Sequence, residues 1–203
     1  MTANVAPAPS ADEALARLKE GNERFLKGEG HFPTMQREVL ADLARGQQPY
    51  ATILGCSDSR VPPELVFDAG FGELFVIRVA GNVLGPSILG TLQYAGAYLR
   101  TPLFVVLGHE GCGAVEAALG SKFHGAEYAS RVELLLQNIL PALEGLDPRR
   151  SPDDLMQDAV EANVRHTVDS LLETPEAKSN RAGMKLVGAV YELHTGRVRF
   201  LKS

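Results

Sequence analysis

Two short stretches of the 203-residue chain carry side chains that could do chemistry: Cys56-Ser57-Asp58-Ser59-Arg60 and His109-Glu110-Gly111-Cys112. Between them they hold both cysteines of the chain and one of its five histidines. Two thiolates, an imidazole and a carboxylate form a soft, anionic donor set that suits zinc. A histidine and a cysteine three positions apart at a strand-to-helix turn can face one ion. A cysteine and an aspartate two positions apart on an extended segment point to the same side. Cys56, Asp58, His109 and Cys112 are therefore the candidate ligands of one Zn2+ per chain, provided that the strands feeding the two stretches are neighbours.

Three other readings use the same residues. Cys56 or Cys112 could pair with His109 as a thiol nucleophile, but this leaves the second cysteine without a role. Gly108-His109-Glu110-Gly111-Cys112-Gly113 could be a phosphate loop between a strand and a helix. Its glycine order, G-x-x-G-x-G, is not that of the dinucleotide fingerprint. A closed structural zinc site is the third, although such sites seldom use a carboxylate. His31, His124, His166 and His194 are each isolated among loop or helix-surface residues, and read as solvent-exposed.

The elements that must position these residues follow from periodicity and turn signals. Residues 1–10 are rich in Ala and Pro and read as a loose arm. Ser10 and Glu13 form a capping-box pattern ahead of an amphipathic helix carrying Leu15, Leu18, Phe25 and Leu26, closed by Gly28 and Gly30. Gly21 weakens that helix on propensity. Thr34–Arg45 reads as a second helix. Strands are expected at Tyr50–Leu54, Glu73–Arg78 and Leu103–Leu107, the first apolar enough to be covered on both faces. Helices are expected from Val61, over Ser87–Leu99, from Gly113 through Leu119, and over 129–144 and 153–173. Lys185–Leu193 and Arg197–Leu201 flank His194-Thr195-Gly196 as a hairpin.

Strands alternating with helices imply an α/β fold. It would have a central, mostly parallel sheet of about four parallel strands, an antiparallel C-terminal edge strand, flanking helices and an N-terminal helical arm. The expected division is an arm over 1–46 and an α/β core over 47–203, a single domain overall. Ligands of such sheets gather beyond the carboxyl ends of the strands, where both stretches fall.

A net charge of -5 argues against a nucleic-acid partner. No apolar run is long enough to span a membrane. The N-terminus lacks the basic and apolar segments of a signal peptide, so a cytoplasmic location with reduced thiols is expected.

The two stretches and their surroundings resemble the β-class carbonic anhydrases. The resemblance covers Gln47 to Ala118. It includes Cys-Ser-Asp-Ser-Arg at 56–60 with Val61-Pro62 after it, Gly72-Glu73-Leu74-Phe75-Val76-Ile77-Arg78, Ala80-Gly81-Asn82, and Gly108-His109-x-x-Cys112-Gly113-Ala114-Val115. It implies zinc-dependent, reversible hydration of CO2 to bicarbonate and a proton, with an activated water as nucleophile. It implies zinc on Cys56, His109 and Cys112, with water or Asp58 as fourth ligand. Asp58 and Arg60 would form a catalytic dyad. Gln47 would reach toward substrate, often across a dimer interface, and the backbone N–H of Gly113 would meet a bound ligand. A homodimer or a dimer of dimers, in which N-terminal helices embrace the neighbour, is implied as well.

Two departures stand out: Glu110 where Ser or Thr is common, and Gln93 where Glu is common. A non-catalytic bicarbonate site, which in one subgroup needs a Trp where this chain has Ile53, is not expected on Arg78 alone. A CS2 or COS hydrolase on the same scaffold, or a non-catalytic zinc protein acting as sensor or structural partner, are the alternative functions.

Overall fold

In the computed structural model the described residues are 8–31, 40–41, 43–179 and 184–202. Five strands form one sheet: β1 (Ala51–Gly55), β2 (Leu74–Arg78), β3 (Leu103–His109), β4 (Lys185–Tyr191) and β5 (Val198–Phe200). Their order is β2-β1-β3-β4-β5. The first four run parallel, and β5 pairs antiparallel with β4 through the expected hairpin.

The helices are α1 (Ala11–Lys27), α2 (Pro63–Val66), α3 (Pro86–Tyr94), α4 (Gly113–His124), α5 (Ser130–Leu136), α6 (Pro152–Leu172) and α7 (Pro175–Ser179). The helix expected at Thr34–Arg45 lies mostly outside the described residues. Two expected helices are interrupted. The Ser87–Leu99 segment is α-helical to Tyr94 and then widens into a π turn over Ala95–Leu99. The 129–144 segment ends its α-helix at Leu136, and a 3-10 turn follows at Leu140–Leu143. Pro141 sits inside that second half, and a proline removes a donor that a continuous helix needs.

Strand alternation divides the core into two layers. Ile53, Val105, Leu107, Ala189 and Tyr191 face α1 and α2, where Ala14, Leu18, Val66 and Phe67 are buried with them. Leu54, Phe104, Val106 and Val190 face the other way, against Leu92, Val115, Leu136, Val160 and Val164. Every residue of β1 and β3 is buried. That is the covering expected of central parallel strands.

Ser10 caps α1 with the reciprocal capping box: its Oγ accepts from Glu13 N–H at 3.3 Å, and its own N–H donates to Glu13 Oε2 at 2.7 Å. The helix packs on its own chain rather than standing clear of it. Asn22 Nδ2 donates to Val66 O at 3.1 Å and Gly196 O at 2.9 Å, and Asn22 Oδ1 accepts from Val198 N–H at 2.9 Å. This close seat explains Gly21. A Cβ there would lie inside contact distance of the Phe67 carbonyl oxygen, a backbone atom that cannot rotate away.

Helix propensity alone gives Gly21→Ala a gain of about 1 kcal/mol. The steric conflict reverses the sign, and the variant should lose about 1–3 kcal/mol as an overpacked core does. Urea denaturation of the two proteins checks this.

Candidate metal centre

Parallel pairing sets Gly55 beside Leu107, with Ala51 beside Leu103 at the other end. The residues just past these ends, Cys56 on one strand and Gly108-His109 on the other, are therefore brought to one edge of the sheet. Cys112 follows three residues later as the N-cap of α4. The ligand atoms of Cys56, His109 and Cys112 all lie within 4.8 Å of one another, and all three residues are buried. Cys56 Sγ and Cys112 Sγ are 3.9 Å apart, both as free cysteines.

His109 is oriented by its neighbour. Its Nδ1 lies 2.8 Å from Glu110 O, and a carbonyl can only accept, so Nδ1 carries the proton. The Nε2 lone pair then faces the two sulfurs. Nε2 is fully buried and has no hydrogen-bond partner among the described residues. A buried polar atom left in this state costs about 1–3 kcal/mol. The lone pair aimed between two thiols fits a soft divalent cation, and the donor set of one nitrogen and two sulfurs is one zinc accepts.

The two thiols hold their protons very unequally. The Cys112 thiol donates to Cys56, and this, against the cost of burial, lowers the Cys56 pKa well below the usual thiol range, with help from His109 beside it and the N–H groups of Gly81 and Asp58. Cys112 is pushed up, by the bond it makes to Cys56, by burial and by the adjacent negative charge. Burial disfavours a charged His109, but the Cys56 thiolate beside it outweighs this and raises its pKa. Such a pair loses both protons readily only when a cation neutralises the second charge.

Asp58 stands at the rim. Its Oδ2 is 3.9 Å from His109 Nε2. It is engaged by Arg60 in a fork: Arg60 Nε donates to Oδ1 at 2.9 Å and a terminal nitrogen donates to Oδ2 at 2.7 Å. The Arg60 backbone N–H adds a bond to Oδ1 at 2.9 Å. The Arg60 side chain holds the Asp58 carboxyl well below the usual carboxylate range, though burial works the other way. Bidentate pairing of this kind fixes direction as well as charge.

Residues 51–198 match the family model for carbonic anhydrase. Carbonic anhydrase 2 of Mycobacterium tuberculosis is 40% identical over 187 residues, covering 91% of this chain and 89% of that one. The carbonic anhydrase of Mycolicibacterium smegmatis is 38% identical over 188 residues, covering 91% and 90%. The solved β-carbonic anhydrase CcaA superposes with a TM-score of 0.74 at 28% identity, covering 93% of this chain and 95% of that one.

The chain belongs to the β-class carbonic anhydrases. It is an enzyme of that family, whose general reaction is the hydration of CO2. No helix among the described residues is long and apolar enough to cross a membrane.

The remaining candidates fall in different places. Gly113 opens α4, where the first N–H groups of a helix have no intrahelical acceptor, and the space beside its Cα is open. Gln47 is exposed and lies beyond the amino end of β1. The strand between it and Cys56 rises about 3.3 Å per residue, so Gln47 does not reach the cysteines and histidine of its own chain. His31, His124 and His194 are exposed as expected and His166 is half-buried; His31 Nδ1 lies 3.2 Å from Asp68 and His194 Nδ1 3.3 Å from Glu110. Gln93 lines an apolar cavity of about 760 Å3 beside Phe104, at the end of β3 remote from His109.

Three residues that brace this carbonic anhydrase centre were not expected in that role. Arg78 Nε donates to Cys56 O at 2.9 Å and a terminal nitrogen donates to Asp58 O at 2.6 Å, fixing the turn on either side of Ser57. Gly81 N–H donates to Cys56 Sγ at 3.4 Å. Asn163 Nδ2 donates to Gly81 O at 2.8 Å. One signal was present for Asn163: it falls on the apolar stripe of α6 between Val160 and Val164, where a polar amide needs a reason.

In metal-free protein, Cys56 is expected to be the more acidic thiol of the two. Limited treatment with iodoacetamide should therefore modify Cys56 first, and peptide mass spectrometry reads the order. Equal labelling would contradict the unequal acidities.

Proposed function

We propose that this β-class carbonic anhydrase hydrates CO2 at a zinc ion held by Cys56, His109 and Cys112. The observation that carries the reading is the buried, unpartnered Nε2 of His109 facing two thiols across the ends of β1 and β3. Zinc bound there would lower the pKa of a water molecule to about 7, giving a nucleophile at neutral pH. Two thiolates and a neutral imidazole cancel the charge of the ion, which favours release of an anionic product.

The protein residues do the positioning. In the state described, Asp58 is turned to Arg60, which places two donors on Oδ1 and one on Oδ2. It is held ionised, so it can only accept a hydrogen bond, and an acceptor at the rim orients a donor toward substrate. Released from Arg60, Asp58 is close enough to His109 Nε2 to compete for the same cation. Arg60 is therefore proposed as the residue that would hold Asp58 away from a bound cation. Lysine would not reproduce its two parallel bonds. The free N–H of Gly113 is assigned to bicarbonate or an intermediate oxygen.

Gln47 extends the proposal to the assembly. It stands at the wrong end of its own β1 to serve its own centre. If it meets substrate, it does so from a second copy, and the working unit is a homodimer or a dimer of dimers. The two buried free cysteines fit a reducing compartment, and the cytoplasm is the proposed location.

Stopped-flow CO2 hydration across pH, with zinc measured on the same sample, tests the core of this reading. Wild type should carry one zinc per chain. Arg60→Ala should keep the zinc and lose about 10^2-fold or more in kcat/KM, the size of effect that mispositioning a group at the reaction centre produces. An active Arg60→Ala enzyme would remove Arg60 and the switch from the mechanism.

Mixing inactive subunits tests the shared site. Gln47→Ala and Arg60→Ala homodimers should each be weak. After subunit exchange, the heterodimer has one centre with both defects and one with neither, so a fully exchanged equal mixture, half of it heterodimer, should recover toward roughly a quarter of wild-type activity. No recovery, with exchange verified by mass, would place Gln47 outside the partner's site.

A further inference from the structure

Beyond the ligands, a buried relay runs from the core helix α6 to one of the sulfurs. Asn163 is 1% exposed and sits at the middle of α6. Its amide nitrogen donates to the carbonyl of Gly81 at 2.8 Å, and the N–H of Gly81 donates to Cys56 Sγ at 3.4 Å. Gly81 thus has its peptide groups held from both sides, by a side chain at its carbonyl and by a sulfur at its nitrogen.

The turn that carries Gly81 is constrained throughout. Val79 N–H donates to Gly55 O at 3.1 Å, which continues the β1–β2 pairing up to the turn. Gly81 has φ 68 and Asn82 has φ 44, both in the left-handed region. A Cβ at Gly81 would lie 2.8 Å from Ile139 Cδ1 and 3.2 Å from Ala114 Cβ, so the residue is also wedged between the α4 start and the 136–140 connection.

The amide of Asn163 is used at a cost. Its Oδ1 has no partner among the described residues, and neither does Nδ2 of Asn82 on the same turn. A valine or leucine on this stripe would leave no such polar atom buried without a partner. Only the bond to Gly81 gives the amide a return.

We propose that Asn163 is a positioning residue for the metal centre: by gripping the Gly81 carbonyl it keeps the Gly81 N–H aimed at Cys56 Sγ, and so limits the charge that this thiolate passes to the metal. The proposal rests on the zinc reading above. Hydrogen bonds to a coordinating atom tune the ion as the ligands themselves do, and their loss commonly costs ten- to a hundredfold in activity or affinity. A thiolate relieved of its N–H donor gives more charge to the ion. The ion becomes a weaker Lewis acid and hydration slows.

Cobalt substitution reads the thiolate directly, without turnover. Wild type, Asn163→Ala and Val168→Ala are loaded with Co2+, and their sulfur-to-cobalt charge-transfer absorption is compared. Val168 lies on the same helix but packs toward Gly188 on β4, so its truncation controls for loosening of α6. The Asn163→Ala band should move to longer wavelength, since an electron leaves a more electron-rich sulfur more easily. Hydration by its zinc form should fall by about ten- to a hundredfold. Val168→Ala should keep the wild-type band at a comparable loss of thermal stability.

A band in Asn163→Ala that superimposes on wild type, or an equal shift in Val168→Ala, would overturn the assignment. If Asn163→Ala does not fold, Asn163→Ser, with a smaller loss of volume, is measured with the same expectations. Failure of wild type itself to bind Co2+ at the cysteines would instead strike the zinc reading on which the proposal rests.

Discussion

Parallel pairing of β1 with β3 is the constraint on which everything else depends. Ala51 lies beside Leu103 and Gly55 beside Leu107, so two segments 52 residues apart along the chain end side by side. A slip of one residue would turn the apolar sets of both layers inside out. It would also move Cys56 away from the level of Gly108 and His109. The register is held by burial on both faces: Ile53 and Val105 belong to the layer under α1 and α2, and Leu54 and Val106 to the layer under α4 to α6. The chemistry is therefore specified by hydrophobic packing before any ligand is bound.

That packing leaves an electrostatic problem at the strand ends. Two sulfurs 3.9 Å apart and a buried, lone-pair-bearing nitrogen are a poor arrangement for a protein interior without a cation. The surroundings stabilise one negative charge, on Cys56, and resist the second, on Cys112. The centre is thus preorganised for a dication and destabilising without one, a common coupling of metal binding to stability. Asp58 is kept out of this cluster by a stronger local claim, the Arg60 fork, and by Arg78, which holds the carbonyls of Cys56 and Asp58 themselves.

Much of this was legible in the sequence, for identifiable reasons. Cys56, Asp58, His109 and Cys112 stand out because their types are rare and their spacing is local. The strands could be read because β1 and β3 are short, apolar and bounded by glycine. The α-helical breaks at Ala95 and after Leu136 were not read, because the apolar spacing continues across them while the backbone does not. Gly21 read as a weakness in a helix, when it is the point at which the helix touches the Phe67 carbonyl. Its meaning lies in a residue 46 positions away. Arg78 and Asn163 act through backbone carbonyls of distant residues, and Gly81 through its own N–H on a distant sulfur, and no spacing rule reports such contacts.

The position of Gln47 carries the same lesson to the level of assembly. Local spacing places Gln47 only nine residues before Cys56, which invites the view that the two serve one site. The intervening strand denies this, because a strand separates its ends instead of folding them together. An exposed glutamine at the amino end of β1 and an enzyme centre at its carboxyl end can meet only if two sheets approach each other. A β-strand thus makes sequence neighbours into spatial strangers, and the same geometry that joins Cys56 to His109 across β1 and β3 separates Gln47 from both. What a single chain brings together here is a Cys-His-Cys group that could hold a metal ion; Gln47 joins it only under the proposed dimer.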